Sequence, residues 1–394
     1  MAIVRFKKDT QDSFFGHFLY DRILPRNHFL VRTREVIPWN RFTVKLLKYY
    51  KGAGEYGRTS YEPSKILRML FLSYLYNLSE RETEDFANLH LAGKFFVGLG
   101  ADEYAPDHST LTTFKERITK SAGLKAYESL FNEMVRIAIE KGVKFGGVQT
   151  VDSVHTVANV NLTKDKFRQK KQDKPPRDPD AAWGVKKIKK VKREDGTVRD
   201  EKVSFYGYKT HISQNAQSGL VTSMTVTGGE VYDGKELPAL VNKDRKLGIA
   251  KEGEIIKENG KLVVSGGSAY TADKAYDDGD NHEFLKVKKL QSAIILKDTR
   301  TNSKQEENNK LWQHFKDRDI YRKATKLRYT AEQPFGLAKH YHGFSRCRYI
   351  GKTKMAIQSY LTFMVLNLKR IMKLTGGIQL RNNSLYAYVP IRGG

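Results

Sequence analysis

From Ile320 to Gly394 the sequence carries 14 Lys and Arg residues and one acid, Glu332. A lone carboxylate in so long a basic field has two readings: a helix-surface ion pair with Arg328, four residues earlier, or a metal ligand placed where a negatively charged backbone is drawn in. Arg328, Glu332 and Lys339 are spaced by four and then seven residues, so a helix through them puts all three on one face. Asp152 lies in Gln149-Thr150-Val151-Asp152-Ser153, an acid inside an apolar, β-branched strand pattern. Asp is depleted in strand interiors, and a buried charge needs a partner or a metal. Asp273, in Tyr270-Thr271-Ala272-Asp273-Lys274, follows the strand-like Leu262–Val264 and a Gly266-Gly267 turn. Strand ends are where α/β folds concentrate their sites, although either Asp could instead cap a helix or a turn. Together the three hard oxygen donors suit Mg²⁺ or Mn²⁺ without His or Cys ligands. Two such ions, about 3.5–4 Å apart, would clamp the attacking and leaving oxygens of an in-line phosphoryl transfer.

The elements that must hold these acids fall into two blocks. Residues 1–145 read as helical. Pro63 is a good first-turn residue, and Ile66, Leu67, Leu70, Tyr74 and Leu78 follow at helical spacing. Ser79-Glu80-Arg81-Glu82 fits a capping box, and Asp107-His108-Ser109-Thr110 offers caps before Leu111, Phe114 and Ile118. Leu124 to Glu140 lines up Tyr127, Leu130, Phe131, Met134, Val135 and Ala138 on one stripe. Near Gly146 the pattern changes to strands: Gly147–Ala158, Val203–Ser213 and Gly219–Val226. A helix over Asp233–Leu247 with Asp233 as N-cap, short strands at Leu262–Val264 and Ser292–Leu296, and helices over Asp319–Tyr341 and Lys354–Leu374 complete a mixed α/β sheet covered by helices. The expected layout is a helical domain over 1–145, an α/β domain over 146–375 with a basic insertion at about 161–200, and a tail over 376–394.

The insertion, Asn161–Asp200, holds 14 Lys and Arg against seven acids, and its Gly184–Arg193 run has six basic residues and no acid. It reads either as a solvated loop or as a basic arm that tracks phosphates through Lys186, Lys187, Lys189 and Lys190. The whole chain of 394 residues has 70 Lys and Arg against 44 Asp and Glu, a formal charge of +26, which makes a polyanion the expected partner. One cysteine, Cys347, excludes a disulfide framework or a multi-cysteine zinc site. No apolar run reaches the roughly 18 to 20 residues of a membrane span, and the opening residues MAIVRFKKD carry charge where a signal peptide needs an apolar stretch. The expectation is a soluble protein of a reducing compartment, with no membrane partner.

With these residues in place, the chain resembles the DDE transposases of bacterial cut-and-paste insertion sequences, over roughly residues 10–375. The helical part matches in SYLYNLSERE (Ser73–Glu82) and PDHSTLTTFKERI (Pro106–Ile118), the first acid in TVDSVHT at Asp152, and the strand motif at Tyr206-Gly207-Tyr208-Lys209-Thr210-His211. The second acid matches Asp273 in TADKAYD, and the third is Glu332 within a Y-x2-R-x3-E-x6-K signature. Arg328, Glu332 and Lys339 keep the signature's spacing; its Tyr position is Thr325 here, and Ala275 stands where many relatives have Gly.

The resemblance implies an RNase H-like core and metal-dependent hydrolysis at element ends, followed by attack of the new 3′-OH on target DNA. Asp152 and Asp273 would hold two Mg²⁺ ions, with Mn²⁺ as a substitute, and Glu332 would complete one coordination shell. Arg328 and Lys339 would position DNA phosphates, with Lys209, Arg346, Arg348 and the basic arm as further contacts. It also implies double-stranded DNA as partner (terminal inverted repeats and target), a homodimer on DNA, and a bacterial cytoplasmic, nucleoid-associated location. The alternatives are a catalytically inactive DNA-binding regulator derived from a transposase, or a host RNase H-like nuclease that cuts without joining.

Other features carry less. Gly351-Lys352-Thr353 resembles the end of a P-loop, but Arg346 stands where the loop needs Gly. His340 and His342 have no Cys or acid cluster nearby and read as exposed or DNA-facing. Asp277 reads as a turn acid, and Trp39, Trp183 and Trp312 as packing residues. Cys347 sits in a basic stretch that would lower its pKa, yet nothing else supports a nucleophile.

Overall fold

The computed structural model describes residues 6, 14–49, 60–192, 198–258, 260–301, 306–380 and 388–390. The chain divides into two compact units, one of residues 1–143, 340–343 and 360–394, the other of residues 144–339 and 344–359. In the first unit eight helices come first: α1 (Phe14–Ile23), α2 (Phe29–Val36), α3 (Asn40–Leu47), α4 (Pro63–Leu75), α5 (Glu80–Leu89), α6 (Leu91–Val97), α7 (His108–Ala122) and α8 (Leu124–Glu140). Helix α4 starts on Pro63 and is buried along its whole length, as its near-continuous apolar sequence requires. Around it Trp39 meets the rings of Phe71 and Phe96 edge-on at 5.3 and 5.4 Å.

The start signals read from sequence are present as hydrogen bonds. The Ser79 hydroxyl accepts from the Glu82 amide at 3.2 Å, and the Glu82 carboxylate accepts from the Ser79 amide at 2.7 Å, closing the capping box of α5. Asp107 caps α7 through the Ser109 amide at 2.7 Å. Replacing Ser79 by Ala is expected to cost about 1 kcal/mol, read as a lower urea midpoint at unchanged slope.

The second unit is built on a six-stranded mixed sheet. Its strands are β1 (Val148–Val157), β2 (Ala182–Lys192), β3 (Val198–Asn215), β4 (Val221–Gly228), β7 (Ala269–Thr271) and β8 (Gln291–Ser292), while β5 (Glu254–Glu258) and β6 (Lys261–Ser265) form a separate hairpin. Strand β1 is central, antiparallel to β3 and parallel to β7, and β7 is parallel to β8. The long β3 pairs on its other edge with β4 from Tyr208 to Gln214 and with β2 from Val198 to Gly207. The helices of this unit's chain segment are α9 (Leu162–Gln172), α10 (Leu237–Lys246), α11 (Gly279–Val287), α12 (Asp298–Thr301), α13 (Glu306–Asp317), α14 (Asp319–Leu327), α15 (Glu332–Tyr341) and α16 (Lys352–Gly376). The last two run on into residues grouped with the first unit, as does the hairpin of β9 (Ile378–Leu380) and β10 (Tyr388–Pro390). One face of the sheet is closed by a core in which Val151, Tyr270 and Ala272 pack with Leu237, Leu240 and Val241 of α10, Leu285 of α11, and Tyr276.

Four expectations are corrected. The strand leading to Asp273 is Ala269–Thr271, which follows the left-handed Gly266 and Gly267; Leu262–Val264 belongs to the separate β5–β6 hairpin. The stretch 161–200 is not a loop over most of its length: Asn161 caps α9 through the Lys164 amide at 3.1 Å, and the basic run extends as β2 along β3. The helix expected over Asp319–Tyr341 is interrupted by a 3-10 turn at Arg328–Ala331. Pro334 has no N–H to return to the Thr330 carbonyl, and its ring clashes there, so the helix must restart. The strand at Ser292–Leu296 is shorter, Gln291–Ser292, although the Ala293 and Ile295 amides still bond Tyr270 O and Ala272 O at 2.8 and 3.0 Å.

Candidate active site

Asp152 sits in the middle of β1, and the β1–β7 ladder ends on Thr150 opposite Thr271. Two residues further along each chain come Asp152 and Asp273, so parallel register carries the two acids to the same level, where β7 has stopped and β1 continues. Asp273 caps the 3-10 turn Lys274–Tyr276, accepting from the Ala275 amide at 2.9 Å. Asp152 accepts from the Ser153 amide at 2.7 Å. Burial pushes the Asp152 carboxyl up to about 7, with the charges of Asp273 and Asp233 adding to the rise and the Ser153 amide and Arg328 opposing it. Burial also raises Asp273, against the pull of the Ala275 amide and Arg328.

Glu332 is the first residue of α15 and its side chain is 64% exposed. It pairs with Arg328, Nη2 to Oε1 at 3.0 Å, and Nη1 of the same guanidinium lies 3.6 Å from Asp152 Oδ2. Glu332 thus forms the helix-surface pair, and the same guanidinium links that pair to Asp152. The carboxylate oxygens of Asp152, Asp273 and Glu332 do not all lie within 4.8 Å of one another. Like charges repel, and Arg328 stands between the first and the third. Among the described residues the trio of ligand atoms that does meet that distance is Glu84, Asp107 and His108. It is a helix-start network: Glu84 Oε2 takes the His108 amide at 2.9 Å and Nδ1 at 2.8 Å, while Asp107 caps α7.

The expected basic contacts separate into groups. Lys339 Nζ lies 3.5 Å from His155 Nε2. His155 is pushed down to about 4 by burial and by the charges of Lys339, Lys186 and Lys209, so the imidazole is neutral at pH 7 amid three ammoniums. Lys339 is itself lowered by burial and by Lys186. Lys209 donates to Val231 O and to Asp233 Oδ1, both at 2.9 Å. Arg346 braces the loop after β1, donating to Asn159 Oδ1 at 3.2 Å and Val160 O at 3.3 Å. The Arg348 amide donates to Gln358 Oε1 at 2.8 Å. Lys186 is exposed on β2; Lys187, Lys189 and Lys190 continue that strand, and their side chains lie outside the described residues.

Asp233, expected as a helix N-cap, is not one. The residue before the turn Asp233–Glu236 is Tyr232, with no side-chain cap, and the Asp233 carboxylate instead accepts from Ser153 Oγ at 2.9 Å and from Lys209. No local spacing announces this, because its partners come from β1 and β3. Asp277 is a buried turn acid: it takes the Lys297 amide at 2.6 Å, His282 Nε2 at 2.9 Å and Arg300 Nε at 2.8 Å. Burial alone would raise it, but these partners hold it below the usual carboxylate range. Cys347 is buried, and desolvation pushes its thiol up to about 12, opposite to the expected direction. His342 is fully buried with Nδ1 2.7 Å from Tyr74 O, rather than exposed, whereas His340 is exposed. Lys352 opens α16 with its amide on Asp180 Oδ2 at 3.0 Å, which accounts for Gly351-Lys352-Thr353 as a helix start. Trp312 packs on Phe315 and His282, while Trp183 is 51% exposed beside Tyr206.

A five-strand mixed core with antiparallel β4, β3 and β1, parallel β7 and β8, and flanking helices is an RNase H-like α/β domain. The transposase DDE domain family matches residues 168–368, just over half of the chain, and a transposase domain (DUF772) matches residues 18–117. The chain belongs to the transposase DDE domain family, and is a transposase. Asp273 and Glu332 fall inside the matched stretch and Asp152 lies ahead of it. Among solved structures the chain is similar to piggyBac transposase in a synaptic complex with hairpin DNA, at 9% identity and a TM-score of 0.39, covering 93% of this chain and 77% of that one. It is also similar to Mos1 transposase in a paired-end complex with the left transposon end, at 9% identity and a TM-score of 0.18, covering 83% of this chain and 93% of that one. Both likenesses are remote. Among the described residues no helix is long and apolar enough to cross a membrane.

Proposed function

We propose that this transposase binds the ends of an insertion sequence, cleaves DNA there with a divalent metal, and joins the 3′-OH ends to target DNA. The observation that supports the reading is the register of β1 and β7, which pairs Thr150 with Thr271, two residues before Asp152 and Asp273. The donor set fits a hard cation: two half-buried carboxylates, each raised by burial, with the charge of Asp273 adding to the rise at Asp152, gain from a dication that only oxygen ligands are needed to hold. Asp152 and Asp273 would hold two Mg²⁺ or Mn²⁺ ions, with Glu332 joining one of them by leaving Arg328. When bound, the metal supplies charge neutralisation at the phosphoryl oxygens.

The chain's own residues orient the DNA. Lys339, 3.5 Å from the neutral His155, and the exposed Lys186 offer positive charge to a phosphate, while Lys209 is paired with Asp233. Arg328, released from Glu332, turns its fork toward another. Arg346 and Arg348 border the same unit, and the helical residues 1–145 are assigned to end recognition and to pairing of two copies on DNA. The location follows as the bacterial cytoplasm, at the nucleoid.

The test is donor DNA carrying the element's flanking inverted repeats, with Mg²⁺ or Mn²⁺, wild type against Asp273→Ala. End cleavage and joined products that vanish in the variant are expected. Binding without cleavage by either protein would select the DNA-binding regulator, cleavage without joining the host nuclease, and equal cleavage by both would place the site elsewhere.

A further inference from the structure

Asp233 has no part in the reading above, yet it is built into the same corner. Its 3-10 turn is fastened to the one that Asp273 opens: the Tyr232 hydroxyl donates to Ala275 O, and Asn281 Nδ2 donates to both Gly234 O and Tyr276 O at 3.0 Å. Its two oxygens are divided between two strands. Oδ2 accepts from Ser153 Oγ, next to Asp152 on β1, and Oδ1 accepts from Lys209 Nζ on β3, both at 2.9 Å. The buried His211 lies close, Nδ1 to Oδ1 at 3.9 Å, but burial pushes it down to about 4, so it is neutral at pH 7. Lys209 is therefore the charge that answers Asp233, and the Asp233 charge is felt at both Asp152 and Asp273.

We propose that Asp233 and Lys209 are a charge-balancing pair beside the Asp152–Asp273 shelf, with Asp233 as a positioning residue that cancels the lysine's charge and so preserves the shelf's affinity for a divalent cation. The proposal rests on the metal-centre reading above. It makes the two members act with opposite signs. Removing the Asp233 charge leaves Lys209 uncompensated and repels a cation; removing the Lys209 charge leaves an extra carboxylate field and attracts one. A purely structural ion pair would weaken binding whichever partner is lost.

The experiment is Mn²⁺ binding to the full chain without DNA, followed by the loss of the free-ion spin signal. Asp233→Asn, which keeps an acceptor for Ser153, is expected to weaken binding by about tenfold, the order of one charge interaction across a half-buried site. Lys209→Met is expected to tighten it, and the double variant to return to within roughly threefold of wild type. Both single variants weakening Mn²⁺, or neither changing it, would overturn the proposal while leaving the metal centre standing. Wild type that takes up no Mn²⁺, or takes it up equally well as Asp152→Ala, would overturn the metal-centre reading and this pair's role with it. Should Asp233→Asn not fold, the sign of Lys209→Met alone decides, since weaker binding there contradicts the proposal.

Discussion

Asp152→Asn is expected to abolish metal-dependent cleavage and, in the same protein, to raise the stability of the metal-free chain above neutral pH. The first effect follows from the ligand role proposed for Asp152. Outer-shell partners of a metal typically cost about 10- to 100-fold when removed, and a ligand itself should cost more than about a hundredfold. The second follows from linkage. The Asp152 carboxyl titrates at about 7 in the fold against an ordinary value of 3.8. Between those values the folded chain holds a proton that the unfolded chain has released. The stabilisation is fully present below about pH 4 and is lost as pH rises through about 7. At its upper limit the loss is about 4 kcal/mol, reduced to the extent that the 17% exposed side chain relaxes toward water. Asn does not ionise and escapes it. Urea unfolding in EDTA should therefore show the variant and wild type close at pH 4.5 and the variant more stable at pH 8. Added Mn²⁺ should stabilise wild type at pH 8 and leave the variant unchanged. A variant that is less stable at pH 8 would mean that Asp152 is held by a partner stronger than Arg328 and is ionised without cost.

The contrast between the two units shows what a sequence can disclose here. Helices α5, α7 and α8 and their caps were legible because 3.6-residue periodicity and capping chemistry are local, and Ser79 and Glu82 meet within one turn. Strand β1 was legible from its β-branched run, and Asp152 from being wrong for that run. Strand β7 was not: three residues are too few to show alternation, and its identity comes from pairing with β1. The order of Asp152, Asp273 and Glu332 was readable, but not that Arg328 bridges the first and the third. Asp233 looked like a cap because a cap is what an acid at a helix start does locally. Its actual partners, Ser153 and Lys209, are 80 and 24 residues away. The basic run at 186–192 carried no strand alternation of its own and extends because β3 offers an open edge.

Gly207→Ala is expected to be the most damaging small substitution in the α/β unit, for a reason that also explains how the site is held. At Gly207 the outer edge of β3 changes partner, from Gly228 of β4 opposite Tyr208 to Ala182 of β2 opposite Gly207. A Cβ there would stand 2.1 Å from Thr156 O and 2.9 Å from Ala158 N, backbone atoms at the end of β1 and just past it. The crossing continues through two more glycines: a Cβ on Gly184 would meet Gly229 O at 2.4 Å, and one on Gly229 would meet Ala182 O at 2.6 Å. Backbone cannot swing aside as a side chain does, so the clash exceeds ordinary overpacking and should cost more than about 3 kcal/mol. Gly279→Ala, with nothing within 4 Å of the new methyl, is the control and should stay within about 0.5 kcal/mol of wild type. Relief of the clash would require β1 and β3 to part or slip. The same β1–β3 ladder that Gly207 closes also runs through Asp152, opposite Ile212. Any slip there moves Asp152 relative to Asp273, whose own place is set independently from the β7 side. Any Gly207→Ala protein that still folds should therefore also lose Mn²⁺ affinity, and unchanged affinity would show that the acids are placed without this junction.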